Sequence, residues 1–122
     1  MILTCSRCHW RSPINQLVNL CPSCSAPILV HYDFGTVTLR KRNDMWRYVD
    51  VLPVEDESEI VTLGEGLTPL LPSRSRANVL IKDESKNPTR SFKSRGMAAA
   101  VTMAKKLGAK SLAAPTAGNA GA

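Results

Sequence analysis

Three groups of residues in this chain have side chains or backbone suited to chemistry. They are a lysine that opens a helix, a loop of small residues, and four cysteines in two pairs. Lys93 lies in the stretch Asn87-Pro-Thr-Arg-Ser-Phe-Lys-Ser-Arg-Gly96. Pro88 fixes its own φ and holds Asn87 extended, so a strand or loop ends there. Thr89 or Ser91 can then cap a helix by accepting from its first-turn amides. Met97, Ala100, Val101, Ala104 and Leu107 follow the i, i+3, i+4, i+7 spacing of one buried stripe. Gly108 stands where a left-handed C-cap is wanted. Lys93, four residues before Met97, belongs to that stripe, while Ser94, Thr102, Lys105 and Lys106 make the wet face. Burial and the positive end of the helix dipole both disfavour an ammonium there. A neutral amine is what condensation with an aldehyde requires. Taken alone, Lys93 reads rather as a helix lysine whose tip reaches solvent.

Ser111-Leu-Ala-Ala-Pro115 reads as a short buried strand, and Thr116-Ala-Gly-Asn-Ala-Gly121 follows it with a further helix starting at Asn119. Small residues after a strand let backbone approach a ligand, and the amides opening the next helix form an anion cradle.

The four cysteines are Cys5-Ser-Arg-Cys8, twelve intervening residues, and Cys21-Pro-Ser-Cys24. Each two-residue gap lets a tight turn aim two thiolates at one ion, so the spacing predicts a tetrahedral four-cysteine zinc site. A segment this short has too little core to fold alone, and a structural Zn²⁺ supplies the missing stability. Disulfides would need an export signal, which the sequence lacks. A redox pair would normally follow a strand in a βαβ unit. Cys5-x-x-Cys8-His9 also matches a c-type haem attachment, which leaves the second pair unexplained.

At 122 residues, 43% hydrophobic and 21% charged, the composition is that of a globular chain with one modest core. Sixteen Lys plus Arg stand against ten Asp plus Glu, a net charge of +6, which suits an anionic substrate and cofactor. Nucleic-acid binding would want interleaved aromatics and a basic stripe; aromatics are 5%, and only Arg40-Lys-Arg42 clusters, so no nucleic-acid partner is expected. No apolar run approaches the roughly twenty residues of a membrane span. Cys5, Arg7 and Cys8 come before any signal-peptide core, so no membrane partner and a cytoplasmic location are expected.

Ile28–Asp33 is apolar enough for a strand, and Phe34–Arg42 alternates around Val37 and Leu39 as a second. Asn43-Asp44 opens a segment with Trp46, Tyr48, Val49 and Leu52 at near-helical spacing, ended by Pro53. Glu55–Glu59 is an exposed connection. Gly64 and Gly66 make a turn, Thr68–Leu71 is extended, and Val79–Lys82 is a strand. Strand, helix, strand, helix in that order predicts an α/β chain with a parallel sheet and right-handed crossover helices. A parallel sheet needs cover on both faces, and one helix with a stub does not give it. The expectation is therefore an N-terminal fragment of a larger enzyme, cut inside its catalytic domain.

Asn87-Pro-Thr-x-Ser-Phe-Lys-x-Arg-Gly followed by Pro115-Thr-Ala-Gly-Asn-Ala-Gly121 resembles the fold-type II pyridoxal-phosphate enzymes. Leu63-Gly-Glu-Gly-x-Thr-Pro-Leu70, Ile81-Lys-Asp-Glu84 and the cysteine-rich start narrow the resemblance to the threonine synthase family. It covers nearly the whole chain. It implies a zinc-ribbon-like β element over 1–34, a linker with a short helix over 35–59, and an incomplete catalytic domain over 60–122. It further implies that Lys93 carries pyridoxal 5'-phosphate and then moves the proton. By the same resemblance Asn119 bonds the cofactor's ring hydroxyl, Phe92 lies beside the ring, and Thr116, Ala117 and Gly118 take the substrate carboxylate. The reaction implied is O-phosphohomoserine plus water to threonine and phosphate, a lyase reaction on a small phosphorylated amino acid, in a full-length homodimer. Threonine dehydratase and cysteate synthase share parts of the pattern, and a zinc-ribbon binding module with an inert second half is the alternative of another class. Arg95 and Lys82 read either as anion holders or as surface or structural ion pairs. Arg90 stands where the family usually has glycine, and Ser94 where it has aspartate or alanine. The family's glycine-rich phosphate loop lies beyond Ala122, so the chain alone is expected to bind cofactor poorly and catalyse little.

Overall fold

The computed structural model describes every residue from Met1 to Ala122. The cysteine-rich start folds as a three-stranded antiparallel sheet: β1 (Ile2–Cys5), β2 (Arg11–Pro13) and β3 (Ile28–His31), in the order β2-β1-β3. Leu3, buried in the central strand, faces Ser12 on one side and Val30 on the other. Pro13 ends the edge strand β2, where its missing N–H disrupts no ladder.

The second sheet is a hairpin. β4 (Leu70–Pro72) and β5 (Leu80–Lys82) pair antiparallel, with Leu71 opposite Ile81. The parallel sheet expected from the element order is absent, and the chain is a small mixed α/β structure with two antiparallel sheets. A parallel pair needs a crossover of about a dozen residues or more, whereas β4 and β5 are joined by a tight reversal. Ser73 Oγ accepts from the Ser75 and Arg76 amides at 3.3 and 3.2 Å, and the Ser73 amide closes onto Val79 O at 2.9 Å. Asn78, at φ +60°, supplies the left-handed residue before β5. The predicted strand at 111–115 is also absent. Its residues are exposed and form no ladder. Ala113 and Ala114 have weak strand preference and Pro115 has no donor. Asn119 opens a turn and not a helix.

Phe34–Arg42 forms no strand either, because side chains tether it instead. Asp50 accepts from the Thr38 amide at 2.7 Å, and Arg40 bonds Asp50 and Glu57, each at 2.7 Å. The segment after it is helical as expected, a 3-10 helix over Met45–Val51 whose first turn is capped by Asp44 Oδ1 on the Trp46 amide at 3.0 Å.

Helix α1 (Lys93–Lys106) ends as the sequence predicts. Gly108 takes φ +80°, its amide bonds Lys105 O at 3.0 Å, and the Ala109 amide reaches Ala104 O at 2.9 Å, the paired bonds of a left-handed glycine stop. The core forms where this helix meets the 3-10 segment: Met45, Trp46, Val49, Val54 and Ala98, with Leu52, Ile60, Ala99 and Met103 packed around them. The helix is turned relative to the expectation. Ser94, Ala98 and Thr102 are buried, while Lys93 and Ala100 are exposed and Met97 and Val101 only half-buried. The hydroxyls permit this because each finds backbone. Thr102 Oγ1 accepts from the Val61 amide at 3.0 Å and donates to Val61 O at 3.3 Å, and Ser94 Oγ donates to Ser91 O at 3.0 Å. No helix is long and apolar enough to cross a membrane.

Candidate active site and candidate metal centre

The metal-ligating residues converge. β1 delivers Cys5 and the turn beyond it Cys8; the bridge Leu20 to Pro27 sets the second turn, with Cys21 and Cys24. In the first turn Cys5 Sγ accepts the Cys8 and Arg7 amides at 3.2 and 3.3 Å. In the second, Cys21 O accepts the Ser25 amide at 2.8 Å, with Ser25 at φ +56°. The four sulfurs lie within 4.8 Å of one another, with Cys5 to Cys24 at 3.5 Å and Cys8 to Cys21 at 3.6 Å. A tetrahedral ion with metal–sulfur bonds of about 2.3 Å places sulfurs about 3.8 Å apart, so the cluster has the dimensions of a metal site. The electrostatics agree. The Cys8 amide, with that of Arg7, draws the Cys5 thiol down to about 6. An amide bond from Trp10 pulls Cys8 the same way, but the Cys5 neighbour and desolvation outweigh it and push that thiol up to about 12. Neighbouring thiols such as Cys5 and Cys8 do not both ionise without a cation between them.

The lysine sits at the first position of α1. Ser91 Oγ accepts the Lys93 amide at 3.2 Å, so of the two hydroxyls that the sequence offers as caps it is Ser91 that serves; Thr89 instead bonds the Ser94 hydroxyl. Arg90 adopts φ +56°, the left-handed region, at the position singled out as glycine-like in the sequence. Lys93 is exposed and Phe92 beside it is exposed as well, with Lys93 Nζ 4.8 Å from the ring centre. The expected burial of Lys93 is therefore corrected: the helix turns Ser94 and Ala98 inward, and the lysine lies on the other side. No carboxylate pairs with its amine.

The blocks that precede the lysine meet at Glu84, a junction that the sequence did not reveal. Arg95 binds it with two parallel bonds, Nε to Oε2 at 2.8 Å and Nη2 to Oε1 at 2.9 Å. Thr68 Oγ1 donates to Oε1 at 2.5 Å and Asn87 Nδ2 to Oε2 at 2.7 Å. Asn87, itself buried, accepts the Gly66 amide on Oδ1 at 3.1 Å. These bonds, Arg95 first, hold the Glu84 carboxyl down to about 2. Lys82 Nζ donates to Thr68 O at 2.5 Å. Arg95 thus takes the structural ion-pair reading, whereas Lys82 makes no ion pair and bonds a backbone carbonyl. The only sequence signal for this junction was the adjacency of polar residues in the Gly-x-Thr-Pro and Lys-Asp-Glu blocks.

Thr116, Ala117, Gly118 and Asn119 lie on an exposed turn. Thr116 Oγ1 accepts the Gly118 amide at 2.9 Å and the Gly121 amide at 3.1 Å. An open cleft of about 850 Å³ separates this segment from α1, walled by Val61, Leu63, Met97, Val101 and Leu112 with Thr116 at its edge. Lys93, Phe92, Ala117, Gly118 and Asn119 are not among its lining residues. The sulfurs are thus gathered, whereas the lysine and the small-residue loop are not joined by one cleft.

A model of the family "Pyridoxal-phosphate dependent enzyme" matches residues 61–122, just over half of the chain. The chain belongs to that family. This pyridoxal-phosphate family member is 35% identical to a threonine synthase of Methanocaldococcus jannaschii over 136 aligned residues, covering 100% of the chain and 33% of the relative. A threonine synthase of Methanosarcina acetivorans is 33% identical, over 98% of the chain and 32% of its own length. One from Synechocystis is 43% identical over 62% of the chain and 22% of its own length. The chain therefore spans about a third of the length of the first two curated relatives. No solved structure matches it.

Proposed function

We propose that the chain serves a threonine synthase, the enzyme that converts O-phosphohomoserine and water to threonine and phosphate, and that the enzyme at the relatives' length has the fold-type II architecture. The observation that carries this reading is similarity to a threonine synthase along the entire chain, and not along the family-matched half alone. Of the residues present, Lys93 has the functional group that the cofactor's aldehyde needs. Lys93 offers an exposed primary amine with no carboxylate partner at the start of a fourteen-residue helix. When bound, pyridoxal phosphate supplies the electron sink for carbanion chemistry. Lys93 is the residue proposed to carry it and to hold or move a proton at Nζ. Phe92 is proposed to lie beside the ring and the Asn119 amide to orient it by a hydrogen bond. Thr116, Ala117 and Gly118 are proposed to bind the substrate carboxylate, with the Gly118 amide released from Thr116 Oγ1 on binding.

Residues 1–34 are proposed as a zinc-ribbon-like element, with Cys5, Cys8, Cys21 and Cys24 holding one structural Zn²⁺ that closes the two turns. Residues 35–59 are the proposed linker and 60–122 the proposed portion of the catalytic domain. Metal analysis of the purified protein then gives one zinc per chain, and chelation unfolds the sheet of β1, β2 and β3. The reaction is tested on a protein of the relatives' length that carries these residues. O-Phosphohomoserine yields phosphate and threonine in equal amounts if the reading holds. Ammonia and a keto acid from threonine, with no phosphate released from O-phosphohomoserine, contradict it.

A further inference from the structure

The junction at Glu84 has no part in the chemistry proposed above, yet it fastens the turn that carries Lys93. Helix α1 has no acidic residue in its first turn, and Phe92 before it makes no capping bond. Beyond the contact with Phe92, the Lys93 side chain has nothing to orient it. Ser94 of that turn is held by Ser91 O, and Arg95 is its one charged side chain held by a fork with a fixed plane. Successive helix residues are about 100° apart around the axis, so Arg95 and Lys93 project about 160° apart. Fixing Arg95 from one side aims Lys93 to the other.

We infer that Glu84 and Arg95 are positioning residues that set the direction of Lys93, an inference that rests on the reading of Lys93 as the cofactor-carrying amine. Glu84 serves as the anchor because it is itself held from two further places. Thr68 brings the loop containing Gly66, and Asn87 brings the turn before the helix while also taking the Gly66 amide. Gly66 is in turn pressed on the core: a Cβ there would stand 2.5 Å from the Met45 amide nitrogen. The core segment, the glycine loop, the turn at Glu84 and the first turn of α1 therefore form one connected unit. Arg95 acts through the backbone of that turn and touches no reacting atom.

The test uses the whole chain and pyridoxal phosphate itself. Brief exposure followed by borohydride, which reduces the newly formed C=N bond to a stable secondary amine, marks each lysine for peptide mass spectrometry. The readout is the ratio of label on Lys93 to label on Lys105, an exposed lysine of the same helix. Backbone hydrogen exchange at residues 93–96 without cofactor is measured beside it. In the wild type Lys93 labels ahead of Lys105. Glu84→Gln lowers the ratio about fivefold and speeds exchange at 93–96 about tenfold, the order expected when a charged fork is reduced to neutral bonds. Arg95→Lys, which keeps the charge and loses the fork, gives the same direction and carries the comparison if Glu84→Gln does not fold. Thr102→Val loosens the same helix away from Glu84 and leaves the ratio unchanged, which separates aiming from general destabilisation. A wild-type preference for Lys93 that both Glu84→Gln and Arg95→Lys preserve, with exchange unaltered, overturns the positioning role. A wild type in which Lys93 labels no faster than Lys105 overturns the reading of Lys93, and the inference with it.

Discussion

Replacing Arg90 by glycine is expected to stabilise the protein, although it removes a long side chain. Arg90 sits at φ +56°, is exposed, and takes part in none of the ion pairs. Its amide bonds Asn87 O at 2.8 Å, a contact that glycine keeps. A non-glycine residue in the left-handed region costs about 1–2 kcal/mol. Glycine gives back about 0.5–1 kcal/mol through the greater freedom of its unfolded chain. The difference is a net gain of about 0.5–1 kcal/mol, or roughly 2–4 °C in Tm for a chain of this size. Arg90→Ala is the control, because alanine keeps the strained φ and removes the same charge; its Tm stays within about 1 °C of the wild type. Thermal melts followed by circular dichroism at fixed salt compare the three proteins. A rise shared equally by glycine and alanine would refute the backbone origin and point to relief of the +6 net charge. A fall on Arg90→Gly would refute the left-handed conformation itself.

Thr102→Val replaces the hydroxyl by a methyl of like shape and leaves the Val61 amide and carbonyl without partners, so denaturant titration shows a loss of about 1–2 kcal/mol. An unchanged midpoint would mean that Thr102 faces water. Gly66→Ala forces both a Cβ against the Met45 backbone and a side chain at φ +115°, and a loss of about 3 kcal/mol or more is expected in the same titration. Glu84 has a folded pKa of about 2 against an ordinary 4.5, so its contribution is full above 4.5 and fades as pH falls from there through 2. The gap corresponds to at most about 3.5 kcal/mol, and Glu84→Gln flattens that part of the acid-stability profile; an unaltered slope contradicts the bonding at Glu84.

The stops and starts of the structure were legible in the sequence because they rest on local chemistry. Gly108 ends α1, Ser91 caps it, Asp44 opens the 3-10 segment, and two Cys-x-x-Cys turns converge. Arg90 was legible as a residue in a glycine's place. What was not legible depends on partners far along the chain. Ser94 and Thr102 count as polar in any periodicity, yet they are buried because Ser91 O and Val61 offer backbone partners. That rotation moved Lys93 outward and gave Met97 and Val101 to the wall of the cleft. The alternation around Val37 and Leu39 suggested a strand, but Arg40 and Asp50 hold that segment by side chains. β1 and β2 are too short to show a period, and the cysteine turns between and beyond them set their pairing. The gathering of Thr68, Glu84, Asn87 and Arg95 spans 27 residues between Thr68 and Arg95, and no spacing rule reaches so far.

The role given to Lys93 is tested most directly in a protein of the relatives' length that carries these residues, with and without Lys93→Ala. Phosphate release from O-phosphohomoserine is followed in both, together with the mass of the borohydride-reduced peptide that contains position 93. A pyridoxyl mass on that peptide and phosphate release are expected with lysine, and neither with alanine. Equal phosphate release from the two proteins would contradict that role.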